Sequence, residues 1–172
     1  ANQLKFDWQK KYYDLFIEYI HNRNPNNDIR FYFYSLLLNF ITKMKLCKTE
    51  NEYLLFPGFK DVIKESIIDK NLIRIALYVP FDIKSLNKIG LIFIVSSIDA
   101  KAYIEDYQKM YPNGYLIVES SARGKSFGNY IANTAVLEVF AYIKNIYPID
   151  INRVHLFGHS SPATTITSLL SR

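Results

Sequence analysis

The chain has 172 residues, of which 49% are hydrophobic and 22% charged, a composition that excludes a disordered protein and permits a sizeable core. The single cysteine, Cys47, excludes an intrachain disulfide and a cysteine-cluster metal site. The three histidines have no metal-ligand spacing, so we expect no metal and no cofactor. The net charge of +5 comes from basic residues scattered among acidic ones, so we expect no nucleic-acid partner.

The longest apolar runs fall short of the roughly 18 residues that a membrane-spanning helix needs. Residues 31–41 come nearest, and Ser35 and Asn39 interrupt them. The printed sequence begins at Ala1 without a signal-peptide pattern, which fits a processed secreted protein or a trimmed one. We therefore expect no membrane span, and we favour a secreted or periplasmic location slightly over a cytoplasmic one.

Residues 1–70 are predicted to form a mostly helical N-terminal segment. Apolar residues recur at helical spacing through residues 4–20, which indicates an amphipathic helix. A loop around Pro25 separates it from residues 29–45, which are predicted to form a buried helix. A short third helix is predicted at residues 60–69.

The pattern changes at residue 71, and residues 71–172 alternate between buried strands and helices. This alternation predicts an α/β domain with a mostly parallel sheet and flanking helices. Strands are predicted at residues 72–79, 90–95, 115–118 and 154–157, and helices at 100–111, 133–146 and 163–170. Because functional groups of such sheets lie beyond the carboxyl ends of the strands, loops 96–99, 119–128 and 158–162 are expected to meet.

The last predicted strand leads into a serine on a sharp turn. An apolar run at 154–157 is followed by Gly158-His159-Ser160-Ser161-Pro162 and then by a stretch that favours helix. A strand, a tight turn carrying serine and a helix form the nucleophile elbow G-x-S-x-G, here with Pro162 at the second glycine. The plain alternative is a strand-to-helix loop in which Ser160 only caps the helix.

Several ordered segments around this turn carry a family resemblance. They are Leu77–Pro80, Tyr115–Gly124 (YLIVESSARG) and Tyr147–Val154 (YPIDINRV), the last leading into Gly158-His159-Ser160. In this order they resemble the α/β-hydrolase fold, in particular the esterase and prolyl-oligopeptidase-like (peptidase S9-like) branches of serine hydrolases. The resemblance implies an α/β-hydrolase core that is incomplete after the nucleophile turn, as if truncated there.

The resemblance also implies roles for individual residues. Ser160 would be the nucleophile that forms an acyl-enzyme on a carboxylic ester or peptide substrate. The backbone N–H groups of Ser161 and of a residue near Ser97 would form the oxyanion hole. Arg123 and His159 would contact the substrate.

The chain departs from the family pattern at three places. Ser96-Ser97 stand where the family often has His-Gly, and Pro162 replaces a glycine. No Asp, Glu or His follows Ser160, although the family order is nucleophile, acid, histidine. A partner chain or a missing C-terminal segment would have to complete the sheet and supply these groups. The alternatives are a catalytically inactive hydrolase-like interaction module, or an unrelated α/β domain with a capping serine.

Other polar residues near the predicted site are expected to have structural roles. His155 is predicted to be a packed core residue, and Glu119 a solvated loop charge. Asp150 and Arg153 are predicted to stabilise the turn before the last strand.

Overall fold

The computed structural model describes residues 4–23, 27–96, 102–121 and 129–171. The strands are β1 (Gly58–Glu65), β2 (Leu72–Val79), β3 (Ile89–Val95), β4 (Tyr115–Ser120) and β5 (Ile149–Gly158). The helices are α1 (Asp7–Arg23), α2 (Asn27–Lys45), α3 (Glu50–Leu54), α4 (Ala102–Met110), α5 (Tyr130–Ile146) and α6 (Ser161–Leu170). A short 3-10 turn, Ile83–Ser85, lies between β2 and β3.

The five strands form one sheet in the order β1-β2-β4-β3-β5. Strand β2 pairs antiparallel with both β1 and β4, whereas β3 pairs parallel with β4 and β5. Four of the five strands therefore run in one direction and β2 alone runs in the other. The prediction of a mostly parallel α/β sheet with flanking helices is confirmed.

Burial differs between the central strand and the edge strand. Every residue of β3 is buried, because β3 lies between β4 and β5 and is covered on both faces. The expectation that residues 154–157 are equally buried is wrong, since β5 is the outermost strand and is only partly buried. The prediction that His155 belongs to the core is wrong for the same reason: its side chain is exposed on this edge strand.

The two long N-terminal helices match their predictions, but the predicted helix at residues 60–69 is wrong. Most of this segment is strand β1, which pairs with β2 along its whole length. The sequence pattern of β1 does not look like that of a buried strand, because two of its buried residues, Lys60 and Asp61, are charged. The Lys60 ammonium donates to the carbonyl oxygens of Tyr53, Leu54 and Phe56 at the end of α3, and Asp61 forms a buried ion pair with Arg74 on β2.

Two apolar clusters cover the two faces of the sheet. The larger one joins α1, α2, α5 and α6 to the sheet, and stacked rings such as Phe16 and Phe40, 5.2 Å apart, lie within it. The smaller one packs Ile104 and Tyr107 of α4 against Ile94 and Ile117. The sheet thus begins at Gly58 and shares a core with the N-terminal helices. The division of the chain into residues 1–70 and 71–172 stays a prediction.

The start of β5 is held by a local ion pair. The Arg153 guanidinium donates to the Asp150 carboxylate at 3.0 Å and to the Lys88 carbonyl oxygen at 3.2 Å. The Asn152 backbone N–H, together with Arg153, lowers the pKa of the Asp150 carboxyl. The predicted pairing of Asp150 with Arg153 is observed, but both residues lie within β5 and not in a turn before it.

Across the described residues, every helix is too short or too polar to cross a lipid bilayer.

Candidate functional site

The connection between β5 and α6 places Ser160 in an unusual backbone conformation. Its dihedral angles are φ 62° and ψ −132°, close to those of the first central residue of a type II′ turn, a position that favours glycine. A non-glycine residue held in such a region costs of order 1–3 kcal/mol, which the surrounding structure must offset. Of the described non-glycine residues, only Lys70 also has a positive φ.

The side chain of Ser160 does not cap the helix that follows it. Its hydroxyl makes no capping hydrogen bond, whereas its carbonyl oxygen accepts one from the Ala163 N–H at 3.0 Å. The residue is exposed, so the hydroxyl faces solvent at the carboxyl end of β5. Ser160 therefore occupies the N-cap position of α6, as the alternative interpretation expects, but its side chain does not cap the helix.

The turn is tight because Gly158 lets the strand and the helix approach each other. A Cβ atom built on Gly158 would lie 2.8 Å from Ile166 Cδ1, 3.1 Å from the Ala163 nitrogen and 3.1 Å from the Pro162 carbonyl carbon. Pro162 is buried in the first turn of α6, where a proline is tolerated because its missing N–H has no helical acceptor. The ring replaces the second glycine of the pattern without preventing this close approach.

Replacing Gly158 by alanine is expected to lower the free energy of unfolding by about 1–3 kcal/mol, as for other overpacked sites. Two of the three contacts of the added methyl are to backbone atoms, which cannot rotate away. Urea denaturation of full-length protein measures the effect. Adding Ile166→Val, which removes Cδ1, should recover part of the loss, and a cost below about 0.5 kcal/mol for Gly158→Ala would contradict the packing described.

A cavity of about 150 Å³ opens beside Ser160 at the carboxyl edge of the sheet. Its walls come from the ends of β3 and β5, from the turn itself and from α4. Its apolar lining consists of Ile94, Val95, Tyr103, Tyr107, Phe157 and Pro162, and its polar lining of Ser96, His159 and Ser160. The structure thus places Ser160 and His159 at one pocket.

Two other predicted site residues, Ser97 and Arg123, lie outside the described residues. The strand ends next to them do meet, because the Ser96 N–H donates to the Ser120 carbonyl oxygen at 3.1 Å. Ser161 is the first residue of α6, so its N–H has no acceptor in a preceding helical turn and can face a ligand. The expectation for Glu119 is wrong: it belongs to β4, and its side chain is buried.

The described histidines do not form a catalytic pair with Ser160. Within residues 4–23, 27–96, 102–121 and 129–171, no hydrogen bond joins the Ser160 hydroxyl to His21, His155 or His159. The ring of His155 instead lies 5.8 Å from that of Tyr115. The same part of the chain holds no cluster of three or more acidic, histidine or cysteine side chains that could bind a metal ion.

Two aromatic residues of the pocket are absent from the sequence-based prediction. Tyr103 and Tyr107 lie one helical turn apart on α4, and the Tyr107 ring packs on Phe157 with centroids 4.8 Å apart. Burial raises the pKa of the Tyr107 hydroxyl, with a smaller contribution from Tyr111. Their i, i+4 spacing on the helix after β3 is a signal that could have identified this face.

Comparisons with known proteins bear on the fold. No family model and no curated protein matches the sequence. Among solved structures, a thermostable esterase has a TM-score of 0.53 at 16% identity, covering 68% of this chain and 38% of its own. Est1E from Butyrivibrio proteoclasticus has a TM-score of 0.51 at 17% identity, covering 66% of this chain and 45% of its own.

An S-formylglutathione hydrolase from Agrobacterium tumefaciens has a TM-score of 0.51 at 17% identity, covering 67% of this chain and 54% of its own. The chain therefore spans between 38% and 54% of the length of these three structures. Identities this low speak to the fold alone. The three structural similarities, together with the strand order and the single reversed strand, show that the chain has the α/β-hydrolase fold.

Proposed function

We propose that this protein is a serine hydrolase that cleaves carboxylic esters or peptide bonds through an acyl-enzyme on Ser160. The observation that carries the proposal is the strained backbone of Ser160, with φ 62° and ψ −132°, between the end of β5 and the start of α6. Strain of this size at an exposed hydroxyl beside a pocket is typical of a functional position. In this reading the turn is a nucleophile elbow.

The chemistry proceeds in two steps. In the first, Ser160 Oγ forms a bond to the carbonyl carbon, the bond to the leaving alkoxide or amine breaks, and the serine proton passes through a general base to the leaving group. In the second, water attacks the acyl-enzyme, its proton passes to the base, and the carboxylic acid leaves as Ser160 regains its proton.

The oxyanion of each tetrahedral intermediate needs backbone donors nearby. The N–H of Ser161 and the positive end of α6 supply one such donor. The second is proposed to come from Ser97, two residues after β3 ends at Val95. Removing one oxyanion donor in serine hydrolases lowers kcat by roughly 10²–10³-fold. The proposed mechanism therefore depends on both backbone donors.

The acid and the histidine of the triad are proposed to come from residues beyond those described, in a segment or partner chain that completes the sheet next to β5. This agrees with the chain order of the family, in which both groups follow the nucleophile. The partly exposed outer edge of β5 offers backbone N–H and carbonyl groups for another strand. Arg123 and His159 are proposed to contact the substrate.

Labelling by a fluorophosphonate tests the proposal directly, because such a probe reacts with an activated serine and not with an ordinary one. Full-length protein is expected to be labelled within minutes, with the modified peptide mapping to Ser160. The Ser160→Ala variant should not be labelled, and Ser161→Ala, which keeps the backbone N–H, should be. A folded protein that stays unlabelled at Ser160 would overturn the proposal.

An inactive interaction module is the second candidate function. It is favoured by Pro162 at the second glycine position and by the lack of a histidine hydrogen-bonded to Ser160 among the described residues. On this reading the full-length protein is folded, is not labelled and does not hydrolyse activated esters. The same labelling experiment therefore separates the two functions.

A further inference from the structure

Strand β1 is the outermost strand of the described sheet on the side opposite β5, and its register with β2 fixes where its backbone groups point. In an antiparallel pair, every second residue directs its N–H and carbonyl groups to the partner strand, and the residues between direct theirs away. The Ser66 N–H donates to the Asn71 carbonyl oxygen at 2.9 Å, and these two residues continue the register of β1 with β2. The even-numbered residues of β1 therefore face β2. The residues that face outward are the odd-numbered ones, 59, 61, 63 and 65.

Two of the outward carbonyl groups accept hydrogen bonds from side chains of the N-terminal helices. The Lys43 ammonium of α2 donates to the Phe59 carbonyl oxygen. The Tyr53 hydroxyl of α3 donates to the Asp61 carbonyl oxygen at 3.0 Å. A strand that paired with this edge would offer its own N–H groups to the same two oxygen atoms. It would displace an ammonium and a hydroxyl group from their acceptors, and leaving such groups without a partner is unfavourable.

The Tyr53 hydroxyl is held in place by the residues around it. The side chain of Tyr53 is fully buried, and its ring packs on that of Phe40 with centroids 5.8 Å apart. The Lys60 ammonium donates to the Tyr53 carbonyl oxygen and so ties α3 to β1. The hydroxyl therefore cannot turn away from the Asp61 carbonyl group unless the surrounding core repacks.

Positive charge makes the same edge unfavourable for a second copy of the chain. The Lys64 ammonium donates to the outward Glu65 carbonyl oxygen at 3.3 Å, near the end of β1, whereas Lys43 lies near its start. In an antiparallel pairing of two β1 strands, Lys43 of one copy would face Lys64 of the other. Like charges placed opposite each other on paired strands are destabilising, and lysines on edge strands are a common protection against such pairing.

We propose that Lys43 and Tyr53 close the β1 edge against pairing with the β1 edge of a second copy of this chain. The proposal is independent of the hydrolase function, because none of its groups lies near Ser160. It also assigns different roles to the two edges of the sheet: β1 is closed by side-chain donors, and β5 is the edge at which a further strand would be added.

Sedimentation velocity of full-length protein in a dilution series tests this proposal. The test variant combines Lys43→Met with Tyr53→Phe, which removes both donors and keeps the aliphatic stem and the buried ring. We expect its self-association to be about tenfold or more tighter than that of the unmodified protein, because two backbone acceptors become available to a second copy. Lys43→Met alone leaves every buried ring intact, and it should change self-association in the same direction by a smaller factor.

The matched control combines Lys45→Met with Tyr147→Phe, which removes the same two chemical groups away from the edge. Lys45 is exposed at the end of the same helix. Tyr147 is also buried, but its hydroxyl donates to the Leu54 carbonyl oxygen in α3 and not to β1. The control should sediment as the unmodified protein does, although it loses the same charge and a buried hydroxyl group.

Hydrogen exchange then shows whether the association uses the proposed edge. The amides of residues 59–65 should exchange more slowly as the test variant is concentrated, and those of the control should not change. The proposal would be overturned if the test variant and Lys43→Met alone both sedimented like the unmodified protein. It would also be overturned if the control associated equally, or if association left exchange in β1 unchanged.

Discussion

Replacing Ser160 by alanine is expected to lower kcat for an activated ester by about 10⁴-fold or more, as nucleophile removal does in serine hydrolases. In the proposed mechanism the Ser160 hydroxyl forms the acyl-enzyme, and no other described hydroxyl on the turn has the same backbone conformation. Steady-state hydrolysis of p-nitrophenyl butyrate by full-length protein measures this loss. Ser161→Ala is the control, because it keeps the N–H and should change kcat far less. Retention of most activity by Ser160→Ala would contradict the assigned role.

At position 160, unlike at most positions, glycine is expected to give a more stable protein than alanine. Glycine adopts φ 62° without the Cβ penalty, so Ser160→Gly should be about 0.5–2 kcal/mol more stable than Ser160→Ala, after allowing for the greater freedom of glycine in the unfolded chain. At Thr167, an exposed position inside α6, glycine should instead be about 1 kcal/mol less stable than alanine. Urea denaturation compares the four variants. The same order at both positions would mean that the turn is not strained.

Removing Asp61 is expected to destabilise the protein by about 3–5 kcal/mol, because the buried Arg74 guanidinium stays charged and loses the Asp61 carboxylate. Asp61 on β1 is 6% exposed and Arg74 on β2 is 3% exposed. The Arg74 Nε donates to the carboxylate at 2.7 Å, and a second guanidinium nitrogen contacts the same oxygen. The pair thus joins the first two strands in a region with little water.

The Asp61→Ala variant is compared with Asp106→Ala in urea denaturation of full-length protein. Asp106 forms an ion pair with Lys109 at 3.5 Å, but both side chains are about 70% exposed, so its removal should change the free energy of unfolding by less than about 1 kcal/mol. Combining Asp61→Ala with Arg74→Met should recover much of the loss, since both charges of this pair are then removed together. Equal effects of the two single substitutions would contradict the burial of the Asp61–Arg74 pair.

The sequence predicted the elements whose patterns are set by neighbours along the chain. The helices α1 and α2 follow from helical spacing of apolar residues, and β2, β3 and β4 follow from short apolar runs between turns. The order of strand, serine turn and helix at 154–170 also follows from local residue types. These features agree with the structure because each depends on contacts that a local pattern already reflects.

The wrong predictions concern residues whose burial depends on contacts that the local sequence pattern does not show. Lys60 and Asp61 made β1 look like a polar helix, and they are buried because the carbonyl groups of α3 and the Arg74 guanidinium are nearby. His155 looked like a core residue in an apolar run, and it is exposed because β5 is at the edge of the sheet. The Arg74 partner of Asp61 lies on the next strand, and the edge position of β5 depends on strands that pair across the chain, so neither follows from the local pattern.

For the candidate site, residue types alone identified Ser160 and the adjacent Gly158, since a tight strand-to-helix turn requires a small residue there. Only the tertiary structure showed that Ser160 is exposed and that its side chain makes no capping hydrogen bond, at a turn where Gly158 lets α6 approach β5 closely. Likewise, the pocket exists because α4 crosses the sheet next to that turn and brings Tyr103 and Tyr107 to it. Local residue types predicted which residue is the candidate nucleophile, and packing between distant elements determined what surrounds it.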